Sequence, residues 1–246
     1  MSAKSDPTVD ADKAVVKGWK APSERVRLDR DRILRTAIRF IDDRGLRDLT
    51  MRRLGAELGV EAMSLYRYVP GREELLDGIV ETILLEMDAD PDVEMSPQDG
   101  WQDFLQRLAH GVRRIALAHP AAFPLIASRP TEAPWLRPPL RSLQWVESFL
   151  DGMISEGFAD DSAVAAYRAF TSFLLGHLLL EVSSLGADIG PLDIVDPGDD
   201  SSSLRDYPNV RRLGAALSED HPAAEFEESL ENLLDRLALL LARDKA

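Results

Sequence analysis

From Asp29 onward, apolar side chains recur every three or four residues, and alternating strand-like stretches are essentially absent. Ile33, Leu34, Ala37, Ile38 and Ile41 share one face of a first helix. Gly45 is placed to end that helix in a left-handed cap, and Thr50 to cap the start of the next. Residues 50–69, TMRRLGAELGVEAMSLYRYV, read as two short helices joined by a tight turn at Gly59. Leu54, Leu58, Val60 and Leu65 face inward there, and Gly55 is small where the helices must cross closely. Arg52, Arg53, Arg67 and the hydroxyls of Ser64, Tyr66 and Tyr68 are left outside. Such a helix-turn-helix can place its second helix in a DNA major groove.

Pro70–Gly71 then breaks the chain before a long helix from Arg72 to Met87, with Leu75, Leu76, Ile79, Val80 and Ile83 inside. An acidic, proline-containing loop follows over 88–100. Further helices are predicted at about 101–119, 140–156, 161–184, 209–217 and 223–243. Pro120 and Pro124 bracket a short segment, and RPTEAP marks another break. The stretch from Gly186 to Pro208, rich in Gly, Pro, Asp and Ser, reads as a mobile loop. Residues 1–27 show no periodicity and read as a flexible arm. The chain is therefore all-α, with a three-helix DNA-binding domain at 28–72 and a larger helical domain at 73–246.

Charge sharpens this division. The 246 residues carry a net charge of −14, which taken whole argues against nucleic acid. Lys20 to Arg72, however, hold 13 Lys/Arg against 8 Asp/Glu, whereas Glu73 to Ala246 hold 13 against 32. A small basic module on an acidic body fits a phosphate-binding head. No cysteine is present, which excludes disulfides, thiolate metal sites and cysteine nucleophiles. No apolar run approaches the roughly 18 residues that span a bilayer, and no signal-peptide core is seen. No membrane partner and a cytoplasmic location are the expectation. HExxH, GxSxG, GxGxxG and P-loop spacings are absent, and His110 and His119 lie nine residues apart, too far for one metal face on a helix. No enzyme activity, metal or cofactor is expected.

Thr50–Val69 followed by PGREELLD resembles the TetR family of transcriptional repressors, over about Leu28 to Leu84. LTMRRLGAELGV and SLYRYVPGREELLD are close to that family's signature. Glu61 departs from it, standing where many members carry a serine cap; an acidic side chain still suits a helix N-terminus. The resemblance implies that Ala62, Met63, Ser64, Tyr66, Arg67 and Tyr68 lie on a groove-facing recognition helix. Thr50, Arg52 and Arg72 complete the expected DNA-contacting set, with Arg52 reaching a phosphate or a guanine edge and Arg72 a phosphate. Tyr68 has packing as an equal alternative, and Arg53 reads as a solvated surface charge.

The remainder resembles the effector domain of the tetracycline-repressor branch: WQDFLQRLAHGVRR, then SRPT, then a Phe-rich helix ending LLGHLLLE. This implies a larger effector-binding and dimerisation domain with Trp101, Phe104, Leu108, Val112, Phe170 and His177 around a mostly apolar pocket. Aromatics at helical spacing otherwise serve packing, and His177 reads equally as a core histidine or a polar anchor. Leu108 and Val112 stand where that branch carries a polar amide and an aromatic ring, and Leu125–Ile126 where a metal-binding histidine precedes the RP pair. The expected effector is therefore small, apolar or aromatic, and not metal-chelated tetracycline.

The last helix carries Phe226, Leu230, Leu233, Leu234, Leu237, Leu240 and Leu241, a stripe too wide for one neighbour. Paired with 161–184 and the copies from a second chain, 223–243 would form a four-helix homodimer interface. A dimer would read a palindromic double-stranded operator. The expected function is a ligand-responsive repressor; an activator or an effector-independent DNA-binding protein is the alternative.

Overall fold

The computed structural model describes residues 28–91, 93, 96–128, 133, 135–136, 142–189 and 206–246. The arm expected at 1–27, the part of the expected loop at 190–205 and most of the RPTEAP break lie outside the described residues. Among the described residues there are α-helices and no strands.

Helix α1, Arg30–Arg44, starts where the Asp29 carboxylate accepts the Arg32 N–H at 2.8 Å. It ends at Gly45, whose φ of 83° and ψ of 156° are not the left-handed cap expected. This conformation swings the chain directly into a short 3-10 turn at Leu46–Asp48, which periodicity did not predict. Helix α2, Met51–Leu58, is capped by the Thr50 hydroxyl, which accepts from the Arg53 N–H at 3.2 Å. Gly59, at φ 69° and ψ 30°, makes the left-handed turn into α3, Ala62–Leu65.

The crossing of α2 and α3 depends on Gly55. A Cβ there would lie 2.9 Å from the Val60 carbonyl oxygen and 3.2 Å from the Ala62 nitrogen. Both obstacles are backbone, so only a hydrogen fits. Helix α3 is shorter than the sequence suggested. Residues 66–68 continue as a turn, closed by the Val69 N–H on the Leu65 carbonyl at 2.9 Å. Pro70 explains the stop, since it lacks a donor and disfavours helical backbone at Val69.

Helix α4, Arg72–Asp88, belongs to two cores at once. Leu75, Leu76, Ile79, Val80 and Ile83 pack with α1, α2 and Leu65, whereas Met87 packs in the second core. The packing border thus falls inside α4 rather than at residue 72.

The body comprises α5 (Trp101–Ala118), α6 (Pro124–Ser128), α7 (Leu143–Ser155), α8 (Asp160–Ser184), α9 (Pro208–Leu217) and α10 (Pro222–Asp244). Helix α8 packs on α5, α7 and α10. By length and composition α8 could cross a membrane, contrary to the expectation that no segment could. Its apolar composition has another use, because Ala166, Phe170, Leu174, Leu178 and Val182 are buried in the body's core. Arg113 of α5 holds Glu181 of α8 in a two-point ion pair at 3.0 and 2.5 Å.

Two surfaces are left uncovered by the described residues. On α10, Phe226, Leu230, Leu234 and Leu237 are buried, but Leu233, Leu240 and Leu241 are half-buried and Leu239 is exposed. On α8, Leu180 is 70% exposed and Gly176 has nothing within 4 Å of the place a Cβ would take. Helix α9 buries no residue.

Candidate DNA-reading face and effector cavity

The inner side of α3 is Leu65, followed by Val69; both are buried. That pins the opposite side outward: Met63 is 75% exposed, Tyr66 41% and Tyr68 39%. Arg67 is exposed, and Ser64 and Ala62 are half-buried, Ala62 at the crossing with Gly55. Glu61, at the start of α3, makes no side-chain cap.

The head's positive charge is largely paired. Arg44 pairs with Glu57 at 3.2 Å, Arg30 with Glu81 at 3.0 Å and Arg35 with Asp31 at 3.0 Å. Arg47 reaches Asp188 at 2.5 Å, beyond the end of α8. Arg53 bonds both the carboxylate and the carbonyl of Asp48 while staying more than half exposed, a surface charge with an ion partner. Arg72 donates to the Leu49 carbonyl, tying the start of α4 to the start of α2. Arg52 and Arg67 form no ion pair with any described residue. These two are the head's uncommitted guanidinium groups beside the outward face of α3.

In the body, a partly open cavity of about 70 Å³ lies between α4, α5, α7 and α8. Its walls include Leu84 and Met87 of α4, Leu108 and Val112 of α5, and Phe170 and Leu174 of α8. Among the described residues, none that lines it is charged. Among the described residues, the polar groups at its wall are those of Ser142, Trp145, Tyr167 and Thr171. Ser142 caps α7 by accepting the Trp145 N–H at 3.3 Å. The Trp145 indole lines the cavity and donates to Asp88 at 2.7 Å, which fixes the ring beside the end of α4. Burial pushes the Tyr167 phenol up to about 12, against a hydrogen bond with Thr171 that lowers it. The phenol is thus neutral throughout the physiological range. A lining of this apolar and aromatic character suits a largely apolar organic group.

Two family profiles match this pair of features. The one described as "Bacterial regulatory proteins, tetR family" matches residues 33–79, and "Tetracyclin repressor-like, C-terminal domain" matches residues 95–240. The chain belongs to the TetR family. It is similar to the HTH-type transcriptional repressor DrrR1 of Streptomyces coeruleorubidus, 28% identical over 221 residues that cover 87% of this chain and 78% of that one. Among solved structures, it is similar to a possible TetR family transcriptional regulator from Streptomyces coelicolor A3(2). That protein is 29% identical with a TM-score of 0.67, covering 86% of this chain and 100% of that one. It is also similar to the TetR family protein ActR of Streptomyces coelicolor, solved in complex with (S)-DNPA: 25% identical, TM-score 0.60, covering 86% and 98%.

As a TetR-family regulator, the chain combines a DNA-binding helix-turn-helix with a ligand-binding domain, and its relatives are transcriptional regulators rather than enzymes. Of the six residues that the sequence assigned to the pocket, Leu108, Val112 and Phe170 line the cavity. Trp101, Phe104 and His177 do not. Trp101 stacks edge-on against Phe158 at 5.3 Å, and Phe104 is fully buried against Phe149 at 6.1 Å. His177 points to the other side of α8, packed on Phe226 at 5.2 Å and Phe173 at 5.8 Å. Its Nε2 is buried without a hydrogen-bond partner among the described residues. Phe123, Trp145, Phe149, Tyr167 and Thr171 line the cavity without having been singled out. Tyr167, Phe170, Thr171 and Leu174 sit three and four residues apart, so one stripe of α8 carries the signal.

Proposed function

We propose that this TetR-family chain is a repressor that binds a palindromic DNA operator as a homodimer and is released by a small, neutral, largely aromatic effector. One observation carries the reading: α4 contributes Leu84 and Met87 to a largely apolar cavity, and Leu75, Leu76, Ile79, Val80 and Ile83 to the core of the reading head. A ligand that moved the end of α4 would therefore re-aim α3. Only a ligand with different affinity for the two arrangements does this, and complete switching takes about 5.5 kcal/mol of differential binding.

The expected DNA contacts are Arg52, Arg67, Met63, Ser64 and Tyr66, with Ala62, Tyr68, Thr50 and Arg72 at their margins. Thr50 and Arg72 each already hold a backbone partner, so they would reach phosphate through remaining capacity. The homodimer reading is supported by the half-buried and exposed leucines of α10 beside the open stripe at Gly176 and Leu180 of α8. A second copy of the same two helices would cover both. Metal-chelated tetracycline is disfavoured because no carboxylate or imidazole lines the cavity among the described residues.

The reading is tested with neutral polycyclic aromatic compounds and, separately, magnesium with tetracycline. The expected result is a raised melting temperature and loss of DNA retention with an aromatic compound alone. Stabilisation by magnesium–tetracycline, or by no aromatic compound, would contradict it.

A further inference from the structure

Where the reading head meets the body, one imidazole lies between two carboxylates. His119 closes α5, and its Nδ1 is 2.9 Å from Oδ2 of Asp42 on α1. Its Nε2 is 3.0 Å from Oε2 of Glu86 on α4. A neutral imidazole has a single N–H, so one of these contacts would set a lone pair against a carboxylate oxygen. Only the imidazolium donates to both. The side chains of His119 and Asp42 are 20% and 18% exposed, which leaves that charge-assisted bond weakly screened, whereas Glu86 at 39% exposed holds the more solvated one.

We propose that His119, as an imidazolium, is the positioning residue that fixes the angle of the reading head on the effector body, and that loss of its proton loosens that angle. The inference rests on the head-and-body reading above. It adds a named joint and a dependence on pH.

The surroundings fit this role. The His119 carbonyl accepts the Ala122 N–H at 3.2 Å and the Phe123 N–H at 2.8 Å. Phe123 lines the cavity, whereas Ala122 packs in the head's core. The turn that begins at His119 therefore touches both the ligand wall and the head. Oδ1 of Asp42 is buried with no hydrogen-bond partner among the described residues, so its contact with His119 is the polar contact that holds that carboxylate.

The charged groups facing the imidazole are Asp42 from α1 and Glu86 from α4, with Arg35 of α1 acting on Glu86 in turn. Helix α6 carries no charge, and on α5 Arg113 and Arg114 are paired to Glu181 and Asp90. The hydrogen bond to Asp42 is the main cause that raises His119 above the usual histidine range; burial opposes it, and the bond to Glu86 adds to it. A group raised on folding stabilises the closed joint fully below its unfolded value of about 6.5. That contribution is lost as pH climbs through the folded value.

The joint can be read without DNA. The histidine Cε1–H signals of the full chain are followed by NMR from about pH 5 to about pH 9, alongside amide protection factors along α1. His119 should titrate above about 6.5, and protection in the last turn of α1 should fall several-fold across the same midpoint. His119→Gln should show low protection with no pH step. Asp42→Asn combined with Glu86→Gln removes the demand for a charged ring, so His119 should return to the ordinary range and the step should vanish. A midpoint at or below the ordinary value in the wild type would overturn the proposal. So would a raised midpoint with no change in α1, and either result stands even if His119→Gln fails to fold. DNA binding that failed elsewhere would leave this outcome untouched.

Discussion

Removing the carboxylate of Glu181 should destabilise the body more than any single surface change. Its side chain is 4% exposed and holds Arg113, itself 18% exposed, through two bonds of 3.0 and 2.5 Å. Arg113 also lies over the Phe226 ring at 5.2 Å, so the pair joins α5, α8 and α10. Breaking a buried pair by deleting one partner costs about 3–5 kcal/mol, because the other charge stays buried and unpaired. Arg113 keeps some solvent, so Glu181→Ala belongs at the lower end, about 3 kcal/mol. For a chain of this size that lowers the melting temperature by roughly 6–12 °C. Replacing both residues by methionine leaves no orphaned charge and should recover most of that loss, short of the cation–π contact. The assay is urea and thermal denaturation of wild type, both single variants and the double variant, giving the coupling energy from the cycle. A Glu181→Ala protein that melts with the wild type, or a double variant as unstable as the sum of the singles, would refute the reasoning.

Other consequences follow from the head, the cavity and the open faces. Arg52→Ala should weaken operator binding about 5- to 150-fold in fluorescence anisotropy, the range for losing a base contact, whereas Arg53→Ala, already paired to Asp48, should change it by less than about 5-fold. In an ultraviolet titration the Tyr167 phenol should ionise near 12, later than an unperturbed tyrosine at about 10. Because this folded value is raised, its stabilisation is complete below about pH 10 and is lost as pH rises towards 12, which alkaline denaturation will register. Leu180→Glu, which puts a charge on the open stripe of α8, should turn the sedimenting species from dimer to monomer without lowering helix content.

The head was legible because its punctuation is local. Thr50, Gly59 and Pro70 mark the ends of α2 and α3, and Gly55 marks the crossing, all within residues 50–70. The early end of α3 was harder to see, since it follows from Pro70 acting backwards on Val69. The charge excess of the head was real, but its use was hidden. Arg47–Asp188 and Arg44–Glu57 join residues that no periodicity relates. In the body, helix order was readable and rotation about each axis was not. Aromatic residues surround α5 and α8, so Trp101, Phe104 and His177 could not be separated from Leu108, Val112 and Phe170 by spacing. His119 carried no local signal at all, because its partners stand 77 and 33 residues away.

The central claim is that two copies of this chain present α3 symmetrically to duplex DNA. Selection of bound duplexes from a random pool by the purified full chain tests it most directly, with Arg52→Ala run in parallel. The account predicts enrichment of an inverted repeat whose half-sites lie about one helical turn apart, lost in the variant. Recovery of a pool no different from the starting one at low salt, or of a single asymmetric site bound by one chain, would contradict it.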